Sequence, residues 1–165
     1  MRANTSCGVV ASRGRRRPGR SAPLALALAF VIAGAACTGP ARSTSTYESK
    51  AANTAEAAVS ASRTVLLAAQ IGDEGRSFPQ TISIAIADAE DDADTARDAF
   101  ASIQPPDAAS DQIRATLLPP VARVCDVIAE VRIAARRADI GSLSQTAAPL
   151  EDLANQLDDL AERYG

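Results

Sequence analysis

Apolar residues recur every three or four positions along most of this 165-residue chain, starting near position 51. That period places them on one face of an α-helix. Ile82, Ile86, Ala89, Ala93, Ala96, Phe100 and Ile103 follow one another in steps of 4, 3, 4, 3, 4 and 3. Leu143, Ala147, Leu150, Leu153, Leu157, Leu160 and Tyr164 do the same at the C-terminus. An Ala-rich version runs through Ala51, Ala55, Ala58, Ser62, Val65 and Ala69, with Val59 and Leu66 alongside, and another through Val121, Val124, Ile128, Val131, Ala135 and Ala138. The stretch TISIAIA, Thr81 to Ala87, alternates like a strand, but the 3–4 pattern that continues to Ile103 decides for helix.

Breaks in the pattern mark the ends of the elements. Gly72 and Gly75 can stop the first helix, and Pro105-Pro106 ends the second because proline cannot continue one. Asp107 is placed to cap the third, Gly141 stands where a left-handed stop is expected, and Ser142 to Gln145 resembles a capping box. Connections this short predict an all-α, up-down-up-down antiparallel four-helix bundle over residues 47–165, with shallow crossings. Pro119-Pro120 falls inside the third segment. Each proline removes an amide donor, leaving the carbonyls of Ala115 and Thr116 free, so this helix is expected to be kinked or split there.

The first quarter reads differently. Arg13, Arg15, Arg16, Arg17 and Arg20 precede the uncharged run Leu24 to Ala36. Its thirteen residues span about 20 Å as a helix, short of the roughly 30 Å hydrocarbon core. A basic segment, a short apolar segment and small residues before a cut describe a cleaved export signal over residues 1–36. Gly34-Ala35-Ala36-Cys37 resembles the lipobox of bacterial lipoproteins, and with a single lysine, Lys50, among seventeen basic residues the chain is similar to actinobacterial lipoproteins. The resemblance implies lipid on Cys37 and attachment to the extracytoplasmic face of the cell membrane. Residues 37–46, rich in Thr, Ser, Gly and Pro, are then expected to be a flexible tether. Two alternatives stay open: ordinary secretion after a cut near Ala36, and, through the arginine pairs of Arg15 to Arg17, a twin-arginine signal.

Removing the leader changes the charge. The whole chain has a net charge of −3, but beyond Cys37 there are 20 acidic against 11 basic residues, a net of −9. Such a surface repels nucleic acid and anionic headgroups. Tryptophan is absent, so the core has to come from Ala, Val, Leu and Ile. Cys125, among Val121, Val124 and Ile128, reads as a small buried hydrophobe and not as a catalytic thiolate.

The candidate chemistry is thin. DAEDDADTARD, Asp88 to Asp98, holds six carboxylates in eleven positions. It lacks the glycine and closing glutamate of a calcium loop. Asp91, Asp94 and Asp98 are weak candidates for a divalent cation and are otherwise expected on a solvated face with Arg97. Arg123, Arg132, Arg136 and Arg137 make the third helix basic and able to pair with neighbouring carboxylates. The chain has no histidine, which excludes a serine–histidine triad, a His-dependent di-iron bundle and a His/Met haem site. No cofactor is implied. The expectation is therefore a non-enzymatic interaction or structural module, held to the membrane by lipid on Cys37 and meeting an envelope protein. The alternative is an envelope binder of a small ligand or divalent cation, using the acidic face or the proline bend.

Overall fold

The computed structural model describes residues 41–137 and 142–165. The leader, Cys37, Ala138 and the stop expected at Gly141 lie outside the described residues. Within them the chain is all-helical, with no strand. The helices are α1 (Thr44–Asp73), α2 (Pro79–Ala101), α3 (Ala108–Arg136), α4 (Leu143–Ala147) and α5 (Pro149–Tyr164). The last two form one interrupted fourth helix.

α1 starts inside the expected tether. Ser43 caps it by accepting from the Thr46 amide at 3.3 Å, and Ala41 is already buried in the core. A run of Ser and Thr makes good caps as well as good linkers, and the short pattern alone does not tell the two apart. At the other end Glu74 and Gly75 close the turn by donating to Gln70 and Gly72. Gly75 has φ +63°, the left-handed conformation that glycine adopts without strain.

α3 is one helix through Pro119 and Pro120, not two. The carbonyls these prolines free belong to Ala115 and Thr116, both exposed, so water can take the lost hydrogen bonds and the helix persists. Pro120 itself is buried. The interruption falls instead at Ala148, before Pro149, where α4 gives way to α5. Proline is accommodated there as the first residue of a new helix.

The periodic apolar positions meet in a single core. Ala51, Ala55, Ala58, Val65 and Ala69 of α1 pack with Ile82, Ile86, Ala89, Ala93 and Phe100 of α2, Val121, Val124, Ile128 and Val131 of α3, and Leu143, Leu150, Leu157 and Leu160 of α4 and α5. Two of the few aromatic side chains, Tyr47 and Phe100, are buried against each other with ring centroids 5.0 Å apart and planes tilted by 51°. Such tilted pairs contribute about 0.5–1.5 kcal/mol beyond area burial.

Candidate functional site

Polar side chains at one end of the core tie three helices together. Asp107 caps α3 by accepting from the Ser110 amide at 2.8 Å, as expected, and its other carboxylate oxygen accepts from the Thr44 hydroxyl of α1. These bonds, the Thr44 one first, hold its carboxyl below the usual range. Arg114 of α3 donates to the carbonyls of Ala101 (2.6 Å) and Ile103 (3.1 Å), satisfying orphan groups at the end of α2. The same guanidinium stands beside the Tyr47 hydroxyl. Burial nevertheless raises the Tyr47 phenol, with Arg114 opposing it. The Tyr47 hydroxyl and Ser110 Oγ are both buried, and neither meets a hydrogen-bond partner in good geometry among the described residues. Sequence reading missed Arg114, because a lone arginine between apolar positions carries no spacing signal.

At the opposite end Asp73 of α1 accepts from the amides of Leu143 (3.1 Å) and Ser144 (3.0 Å). The expected capping box does not form, since the Ser142 side chain makes no capping hydrogen bond. The cap of α4 comes from a helix that ends 70 residues earlier, which only the fold brings near.

The acidic run lies along α2. Asp91 and Asp98 are exposed as expected, but Asp94 is half-buried. Arg97 pairs with Asp94 at 2.9 Å and with Asp98 at 3.0 Å, and the Asp98 hydrogen bond raises the guanidinium above its ordinary value. Two of the three candidate ligands, Asp94 and Asp98, are therefore engaged by one guanidinium. Among the described residues no group of three His, Cys, Asp or Glu side chains is placed to hold a metal ion. Asp94 turns toward α3 and lies beside Cys125. That thiol is 5% exposed and is pushed up to about 12, first by burial and then by the Asp94 carboxylate. A thiol so shifted is neutral at neutral pH and a poor nucleophile.

Of the basic residues on α3, Arg132 forms a half-buried ion pair with Glu90 of α2. Arg123, Arg136 and Arg137 pair with no described carboxylate. Arg63 of α1 pairs with Asp158 of α5 at the surface. Open grooves flank α1 among the described residues, two of them of nearly equal volume. One, of about 600 Å³, runs beside α5 and includes Leu66, Leu67 and Ala154. The other, of about 580 Å³, runs beside α2 and is floored by Ala61, Ala85, Ala89 and Ala96. Neither reaches Leu117 to Val121, so the two prolines line neither of them. No described helix is long and apolar enough to cross a membrane. No known family model matches the chain, and comparison with curated proteins and with solved structures finds no match.

Proposed function

We propose that this chain is an extracytoplasmic lipoprotein, anchored to the cell membrane through lipid on Cys37. Its helical part is an antiparallel up-down-up-down four-helix bundle and works as a non-enzymatic interaction module. The arrangement is supported by pairs that join the helix ends. Arg114 links the start of α3 to the end of α2, and Thr44–Asp107 links the starts of α1 and α3. Asp73 links the end of α1 to the start of α4.

The observation that carries the anchoring is the leader itself: five arginines from Arg13 to Arg20, the uncharged run Leu24 to Ala36, then Gly34-Ala35-Ala36-Cys37. The module reading rests on where the polar chemistry goes. Asp73, Asp107, Arg114, Arg97 and Arg132 are engaged in caps and ion pairs within the bundle, while four large apolar side chains among the described residues stay exposed. A contiguous patch of exposed apolar side chains is what would mark a binding surface.

The test is the intact mass of the protein recovered from membranes of a bacterial host that processes such leaders. A chain starting at Cys37 and carrying diacylglycerol is the expected result. An unmodified chain found in the medium would end the anchor reading and leave a secreted module.

A further inference from the structure

The chain joins the bundle almost as soon as it leaves Cys37. Ala41 is buried in the core at 8% exposure. Ser43 caps α1 through the Thr46 amide, and the Thr44 hydroxyl is bonded to Asp107 of α3. Three residues, Thr38, Gly39 and Pro40, stand between Cys37 and the buried Ala41. The four Cα–Cα steps involved reach at most about 14 Å when fully extended. A lipid-bearing Cys37 therefore stays within that distance of the end of the bundle where α1 starts. The same end holds the close of α2 and the start of α3, because Asp107 meets Thr44 and Arg114 donates to the carbonyls of Ala101 and Ile103.

Charge follows the same axis. Residues 41–50 and 102–114, which build this end, hold three bases, Arg42, Lys50 and Arg114, and three acids, Glu48, Asp107 and Asp111. The net charge of −9 beyond Cys37 is thus carried entirely by the remaining residues, the acidic run of α2 among them. An anionic headgroup surface repels acids that come within a screening length, about 8 Å at physiological salt. The 30 residues of α1 run for about 45 Å. A bundle lying on its side would bring acids to the headgroups along that length. One standing on the end nearest Cys37 presents no net charge to them.

We propose that the end built by the start of α1, the close of α2 and the start of α3 is a membrane-facing surface resting at the headgroups of an anionic bilayer. The bundle stands on it, and the Asp73 end, about 45 Å away along α1, is the one presented to other envelope components. The inference rests on lipid at Cys37 and adds an orientation to it. The short tether holds this end down, and the acid excess keeps the sides off. A protein partner is the weaker occupant here, because the tether leaves it about 14 Å at most.

The experiment takes the full chain, processed in the bacterial host and purified with its lipid, into vesicles of phosphatidylglycerol and phosphatidylethanolamine that contain a headgroup-nitroxide lipid. A fluorophore is attached at Gln104→Cys, just beyond the close of α2, or at Gln80→Cys near its start, each combined with Cys125→Ala. Both positions are exposed, and α2 lies between them. Quenching is expected to be at least about fivefold stronger at position 104, because about 35 Å of helix lifts position 80 away from the nitroxide. A flexible insert of about ten Gly and Ser residues before Ala41 should cut quenching at position 104 by about half or more. Equal quenching at both positions, stronger quenching at position 80, quenching at neither, or quenching at position 104 indifferent to the insert would each overturn the proposal. Intact mass of the same sample reads the lipid on Cys37. With lipid present, those outcomes count against the orientation alone; a chain without lipid ends the anchor reading and this inference with it.

Discussion

Cys125 shows how little of a residue's chemistry its type decides. Its thiol is raised from 9.0 to about 12 by burial and by Asp94. The folded protein therefore holds this proton where the unfolded chain releases it. The stability linked to it is fully present below pH 9 and is lost as pH rises from about 9 toward 12. Urea unfolding at about pH 8 and about pH 10.5 should show the parent losing more stability between the two than Cys125→Ala does. Equal losses would mean that the thiol titrates normally. At pH 8, labelling by a thiol reagent should follow unfolding and not direct attack on the native state. Tyr47, also raised by burial, adds a loss of the same sign in both proteins and cancels in the comparison.

Among the elements, α3 is the one whose sequence argues most against it. Pro119 and Pro120 lie well inside a 29-residue helix, where proline costs about 3 kcal/mol relative to alanine. The two are not equivalent. Pro120 is buried, whereas Pro119 is exposed. Pro119→Ala returns an amide donor to the Ala115 carbonyl without emptying any packed space. It should stabilise the protein by about 1–3 kcal/mol in urea unfolding. A loss of stability would show instead that the proline itself is needed at position 119. α4 is the opposite case. It has only five residues, and its free amides are capped by Asp73 of another helix, so its existence depends on the completed bundle.

At the scale of the whole molecule, the acid excess beyond Cys37 is a repulsion that the fold must overcome. The exposed pairs Arg63–Asp158 and Arg76–Glu74 relieve little of it, since such pairs contribute under about 1 kcal/mol. Raising the ionic strength from about 0.01 M to about 0.15 M shortens the screening length from about 30 Å to about 8 Å. That should raise Tm, because repulsion across the acidic face acts over longer distances than the close pairs do. A fall in Tm would mean that the ion pairs, Arg132–Glu90 foremost, outweigh the repulsion.

The sequence by itself determined the helices and their inward faces. Position after position in the 3–4 pattern, from Ala51 to Leu160, is buried, because helix periodicity is a local property and the core has no other source of apolar area. Asp107 as a cap was equally legible, since the bond it makes spans three residues. Tertiary structure decided whatever depends on partners distant along the chain. Asp73 caps α4, Arg114 closes α2, Asp94 turns toward Cys125, and α1 begins within a stretch that reads as linker. It also left Phe78, just before the first residue of α2, exposed, whereas Ile84 and Ile133 stand off the 3–4 pattern and their exposure follows from it.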